Sequence, residues 1–195
     1  LDWEIARLGI PTSSEFGKLI TGSGSKSKQS LSYIKKLVAE CIAGKPVSSI
    51  STEWTERGHA LEQEAADYYA LITDNSLHKI GFVLDEELQA GSSPDRSIDK
   101  LNHLLEIKCL KAENHVDILL SKHLPLKYVP QVQGQILICQ AQQVDVLFYH
   151  PDLPHRIFNV KPDNEYLDSL KKILSETIQK RDALITLIEK ERENE

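Results

Sequence analysis

The sequence predicts an α/β fold, a mixed central β-sheet flanked by helices. Three observations predict it. Apolar residues recur at helical spacing early and late in the chain, and short extended runs separated by turn residues fill the middle. One of those runs, Leu104-Leu105-Glu106-Ile107-Lys108-Cys109-Leu110, is nearly continuously apolar, the pattern of a strand covered on both faces. Helices on either side of such a sheet make a layered α/β sandwich.

The elements follow in order. Ser13-Ser14-Glu15 opens a short helical stretch ending near Gly22, and Gly22-Ser23-Gly24-Ser25-Lys26-Ser27-Lys28 reads as a flexible basic loop. From Ser30 to Ala43 the apolar residues Leu31, Ile34, Leu37, Val38, Cys41 and Ile42 fall at helical spacing, and Gly44 follows as a stop. A third helix runs from about Thr52 to Leu71. His78–Asp85, Leu88–Ser92, Asp95–Asp99 and His103–Leu110 read as four extended segments. Residues 112–122 and 127–140 look helical, the second with Pro130 in its first turn, where its missing N–H does no harm. Val144–His150 and Arg156–Val160 are two last strands, and Asn164–Glu191 is a long closing helix. At 195 residues the chain is expected to form one domain: a helical part over 1–75, a sheet core over 76–160 and a C-terminal helix over 161–195.

Composition narrows the function classes. No apolar stretch approaches a membrane span and no charged-then-apolar leader opens the chain, so a cytoplasmic protein is expected. Cys41, Cys109 and Cys139 lack zinc-site spacing and read as reduced thiols. With Leu1 first and no methionine anywhere, the initiator is expected to lie upstream. The net charge of −6 argues against a protein that coats nucleic acid non-specifically. Its distribution is uneven: residues 1–50 carry seven Lys/Arg against four Asp/Glu, and residues 51–110 carry five against twelve. A basic lip beside an acidic metal pocket suits a nuclease, and two ordinary solvated faces would give the same count.

The acidic region holds the most specific chemistry. Asp95 and Glu106 are hard oxygen ligands of the kind Mg²⁺ prefers, and Lys108 follows Glu106 at strand spacing. Alternation puts Glu106 and Lys108 on one face and Leu105 and Ile107 on the other. A solvated hairpin would carry the same residue types. The apolar flanks argue otherwise, because charges on a buried strand are costly unless paired or bound to metal.

Other positions converge on the same chemistry. Gly58, Leu61, Glu62, Ala65 and Tyr69 form roughly one helical stripe, in which Glu62 is either a third carboxylate reaching the metal site or the partner of a nearby Arg. Tyr128, Gln131 and Gln135 share one face of a helix, where a Gln can orient a water or a carboxylate. Arg7 is a candidate phosphate clamp, and Ser14 a hydroxyl at a helix start, where anions bind. The seven histidines are scattered. No Ser/His/Asp set, phosphate loop or dinucleotide fingerprint is present, so hydrolytic chemistry would come from metal and carboxylates.

In order along the chain, Trp3-x3-Arg7-Leu8-Gly9 with Ser14, Trp54-x3-Gly58-x3-Glu62-x2-Ala65, Ser93-Pro94-Asp95 with Glu106-Ile107-Lys108, and Tyr128-x2-Gln131-Val132-Gln133 resemble the lambda exonuclease (YqaJ-like viral recombinase) family. The resemblance implies a restriction-endonuclease-like core of the PD-(D/E)xK type. It also implies a Mg²⁺-dependent 5′ to 3′ exonuclease on linear duplex DNA, with Mn²⁺ able to substitute, that leaves 3′ single-stranded overhangs. By the same resemblance Asp95, Glu106 and the Ile107 backbone carbonyl would hold the metal, and Lys108 would position or deprotonate the attacking water. Glu62 would complete a second metal site, Gln131 would orient the cluster, and Arg7, Ser14 and Ser93 would receive the terminal 5′-phosphate. The implied partners are double-stranded DNA ends and a single-strand annealing protein, and the implied assembly is a ring-shaped homotrimer of phage or prophage origin. A restriction-like or structure-specific endonuclease on the same core, and an inactive DNA-end binding module, are the alternatives. Two residues depart from the family's habit: Arg96 stands where Gly often follows Pro-Asp, and Leu110 where Pro often follows Lys-Cys.

Overall fold

The structure, a computed structural model, describes residues 5–47 and 53–193, with the backbone alone over 53–60. Trp3 and the side chains of the Trp54 to Gly58 block lie outside that description. A short 3₁₀ segment, Ser13–Lys18, takes the place of the first expected helix. Helix α1 spans Ser30–Ala43, as its periodicity predicts, and buries Tyr33, Ile34, Leu37 and Val38. Gly44 ends it in the left-handed region at φ 62°, its N–H returned to the Glu40 carbonyl, a conformation that costs a glycine little. Helix α2 spans Glu53–Thr73.

The sheet core begins with a small antiparallel pair, β1 (Val83–Asp85) and β2 (Ala90–Ser92). Both are shorter than the expected segments, because only three residues on each side find a ladder partner. His78 instead makes an isolated bridge to Ser97. The main sheet holds β3 (Arg96–Asp99), β4 (His103–Cys109), β5 (Gln143–His150) and β6 (Leu153–Val160), in that spatial order. Strands β4 and β5 are parallel and the outer pairs antiparallel, so the sheet is mixed. A parallel pair needs a crossover. Helices α3 (Ala112–Leu120) and α4 (Val129–Cys139, with Pro130 in its first turn) supply it. Helix α5 (Asn164–Glu193) closes the chain.

Alternation along β4 sorts the layers. Leu105 and Ile107 pack with Leu147 and Tyr149 of β5 against Ala65, Ala66 and Tyr69 of α2. Leu104, Val144, Val146 and Phe148 face the other way, against Val132, Ile136 and Cys139 of α4. A third cluster joins α4 to α1, α5 and the Ser13–Lys18 segment through Phe16, Leu37, Leu137, Leu170 and Leu174. Helix α4 is therefore buried nearly all round, which explains its apolar character on more than one face. A polar anchor fixes α2: the Tyr69 hydroxyl donates to Asp145 Oδ2, while the amides of Gln143 and Asn159 donate to Oδ1, both at 2.7 Å.

Cys41, Cys109 and Cys139 are free thiols. Among the described residues no helix is long and apolar enough to cross a membrane.

Candidate active site

The residue just before β3 and the middle of β4 bring Asp95, Glu106 and Lys108 together. Pairing of β3 with β4 stops at Arg96 opposite Leu105, so the next edge amide of β4 has no ladder strand to meet. Asp95 takes it: Asp95 Oδ2 accepts the Ile107 N–H at 2.7 Å. A strand residue points its N–H and C=O to the same edge, so the Ile107 carbonyl also faces the Asp95 side.

Glu106 and Lys108 project from the α4 face of β4, as alternation requires. Lys108 Nζ donates to Glu106 Oε1 at 2.6 Å and to Gln131 Oε1 at 3.0 Å. Gln131 Nε2 donates to the same Glu106 oxygen at 2.6 Å, and Gln135 Nε2 to Glu106 Oε2. Gln131 thus fixes both members of the ion pair, and Gln135 sets the carboxylate plane. The carboxylate of Glu106 is only 3% exposed, so its charge needs these donors. Gln135 was visible in the sequence as the residue one turn beyond Gln131, but nothing local named Glu106 as its target. Its own Oε1 is buried without a donor among the described residues.

The electrostatics are those of a surplus of negative charge. Burial and the neighbouring Glu106 carboxylate push the Asp95 carboxyl well above the usual carboxylate range, and the Ile107 N–H and Lys108 only partly offset this. Burial alone would lower the Lys108 ammonium, but Glu106, together with Asp95 and Tyr128, outweighs it and holds the lysine above its ordinary value. The half-buried Cys109 thiol is pushed up to about 11 by burial, then by Asp95, Glu62 and Glu64. Among the described residues no three His, Cys, Asp or Glu side chains form a ready metal cage. Two carboxylates and a main-chain carbonyl nonetheless fit Mg²⁺, which binds through few protein oxygens and keeps waters and phosphate in its octahedron. Asp95, Glu106 and the Ile107 carbonyl are the atoms that could hold it.

Glu62 reaches the same region from α2, but toward another partner. Its Oε1 accepts Arg96 Nη1 at 2.7 Å. The two sequence readings of Glu62 thus meet, for it lies close enough to raise the Asp95 carboxyl and is ion-paired with an arginine.

Arg7 and Ser14, seven positions apart, come together. Arg7 Nη2 donates to Thr12 Oγ1 at 3.1 Å and to Ser14 Oγ at 3.3 Å. Burial lowers the Arg7 guanidinium, with Tyr33, Glu15 and Glu40 pulling the other way. The node borders a cavity walled by Arg7, Thr12, Glu15, Tyr33, Lys36 and Glu40. Thr12 was not singled out by sequence. Next to Ser14, Ser13 Oγ meets Ser92 Oγ at 2.8 Å, and Ser92 leads through the half-buried Ser93 to Asp95.

A mixed sheet between helical layers, with two carboxylates and a lysine where adjacent strands part, defines the class of fold. The chain belongs to the YqaJ-like viral recombinase domain family, whose profile matches residues 2–142. In structure it is similar to an alkaline exonuclease from Laribacter hongkongensis, with a TM-score of 0.89 at 21% identity over 99% of this chain and 98% of that one. The same enzyme in complex with dAMP gives 0.89 at 22% identity, again over 99% and 98%. A phage-related exonuclease from Haemophilus somnus gives a TM-score of 0.71 at 15% identity over 92% and 96%. No curated protein sequence matches the chain.

Proposed function

We propose that the chain is a Mg²⁺-dependent exonuclease of the PD-(D/E)xK type that degrades linear duplex DNA from its 5′ end and leaves 3′ single-stranded overhangs. The observation that carries this reading is the Asp95, Ile107, Glu106, Lys108 and Gln131 cluster at the parting of β3 and β4. The alkaline exonuclease and phage-related exonuclease of like fold support it. A bound Mg²⁺ would polarise the phosphodiester and lower the pKa of the attacking water.

The protein's own groups do the positioning. Glu106 keeps Lys108 protonated, so the ammonium donates to the attacking water and to the charge developing on the phosphoryl oxygens. Gln131 and Gln135 hold Glu106 in place, so little reorganisation is needed as that charge develops. Arg7, with Thr12 and Ser14, presents donors to the terminal 5′-phosphate, and Ser93 lies on the segment leading to Asp95. The water oxygen bonds to phosphorus, the P–O3′ bond breaks and the leaving oxygen takes a proton. The released nucleotide carries a 3′-hydroxyl and the shortened strand a 5′-phosphate, which restores the group that Arg7 would bind. A homotrimeric ring, a single-strand annealing partner and a role in phage-type recombination belong to the same reading and rest on the family resemblance.

Digestion of linear against closed circular duplex in Mg²⁺ tests it. Loss of the linear substrate alone is expected, whereas equal cutting of the circle would point to the endonuclease reading.

A further inference from the structure

We propose that Arg96 takes the place of a second cation: its guanidinium neutralises Glu62 and leaves Asp95 and Glu106 as a site for a single divalent ion. The proposal rests on the nuclease reading above and deepens it.

Arg96 stands directly opposite Leu105 in the antiparallel pair, and residues so paired share a face of the sheet. Leu105 packs against α2, so Arg96 points toward that helix, away from the face that carries Glu106 and Lys108. There its side chain is 7% exposed and three acceptors hold it. Nη1 donates to Glu62 Oε1 at 2.7 Å and to the Asp95 backbone carbonyl at 2.6 Å, and Nη2 donates to Gln63 Oε1 at 3.2 Å. A guanidinium cannot shed its charge on burial as a lysine can. Drawing Glu62 away to ligate a metal would leave a buried cation unpaired, the expensive way to break such a pair.

Charge balance points the same way. Among the described residues, Asp95, Glu106 and Glu62 are three carboxylates and Lys108 and Arg96 are two cations, so one negative charge is in surplus. One divalent ion turns that surplus into a single positive charge, which one phosphodiester balances. Two divalent ions would leave three positive charges facing the same phosphodiester. With glycine at position 96 that surplus would be two negative charges and Glu62 would be released from Arg96, so a second ion would find a larger charge deficit to fill. Glu62 therefore acts as a positioning residue for Arg96.

The test is Mn²⁺ binding to the full chain without DNA, followed by the electron paramagnetic resonance signal of free Mn²⁺ and by calorimetry. Wild type is expected to bind one Mn²⁺ per chain. Glu62→Gln, whose amide oxygen still accepts from Arg96, should also bind one. Arg96→Gly should gain a second, weaker ion, and Asp95→Asn should lose the first. Two ions in wild type with one in Glu62→Gln would make Glu62 a ligand and overturn the proposal, as would a single ion in Arg96→Gly. Failure of the underlying reading looks different, because wild type would then bind no Mn²⁺ or Asp95→Asn would bind as wild type does.

Discussion

The hydroxyls of Ser13 and Ser92 lie 2.8 Å apart, both buried, and join segments 79 positions apart in sequence. Ser13 precedes Ser14 of the Arg7 node, and Ser92 precedes the Ser93-Pro94-Asp95 run. The bond therefore ties the candidate anion pocket to the end of β2, from which the chain runs straight into the first carboxylate. Gly134 of α4 packs into the same junction, where an added Cβ would lie 2.4 Å from the Phe16 ring and 3.1 Å from Ser13 Cβ. The candidate anion pocket and the carboxylate cluster thereby share one frame, and that frame also carries Gln131 and Gln135.

The pocket makes a directional prediction. A linear duplex with a 5′-phosphate should be degraded faster than the same duplex with a 5′-hydroxyl, because Arg7, Thr12 and Ser14 cluster their donors at one point. A hydrogen bond to a charged group is worth about 1.5–3 kcal/mol, so roughly tenfold or more is expected if the contact acts in the rate-limiting step. Arg7→Ala should erase the preference by slowing only the phosphorylated substrate. Equal rates on both ends in wild type would remove the pocket from the mechanism.

Lys108→Ala should lower the single-turnover rate on linear duplex by roughly 10² to 10⁴, the worth of a positioned proton-handling group, with little change in DNA affinity. Its charge state gives a second readout. Glu106 holds the ammonium above its ordinary value of 10.5, so the pH–rate profile should show no Lys108-dependent limb below that value. A limb at neutral pH that disappears in the variant would make Lys108 a base. A loss of only a few-fold would leave it a partner of Glu106 and no more.

Local signals made some of this legible in the sequence and long-range pairing hid the rest. Helix α1 and its stop at Gly44 could be placed because periodicity and a left-handed glycine are local. Strand β4 could be recognised because both of its faces are covered, which turns an alternating pattern into an apolar run. Strands β1 and β2 were drawn too long, since their three-residue ladder is decided by each other and not by their own composition. In the site, Asp95, Glu106 and Lys108 were legible from spacing, and Gln131 with Gln135 from helical phase. The contact of Arg96 with Glu62 was not, because 34 positions separate them and, although each stands out in its own segment, nothing local names the other as its partner. The sequence offered both a metal ligand and an arginine's partner for Glu62, and the register of Arg96 opposite Leu105 brings that arginine to it.

Asp95 should expose a conflict between stability and activity. Its folded carboxyl titrates above its unfolded value of about 3.9, so the unfolded chain gives up this proton first as pH rises. Stability is lost from there upward until the folded pKa is passed, and at neutral pH the ionised group is a liability in metal-free protein. Asp95→Asn cannot ionise and keeps an oxygen for the Ile107 N–H, so it should melt higher than wild type at neutral pH in chelator. Near pH 3, where the unfolded carboxyl is itself mostly protonated, the gain should vanish. Each 1 kcal/mol recovered corresponds to about 2–4 °C in a chain of this size. Mg²⁺ should raise the melting temperature of wild type and not of the variant, because only a ligand bound by the native state shifts the equilibrium. Cleavage should fall by roughly 10³ or more, the several kcal/mol that a positioned metal supplies. Glu106→Ala should lose activity as well but melt lower, since it strands the donors of Lys108, Gln131 and Gln135. An Asp95→Asn protein that melts no higher than wild type in chelator, or that keeps Mg²⁺-dependent cleavage, would mean that Asp95 is not the half-buried carboxylate a metal is needed to neutralise.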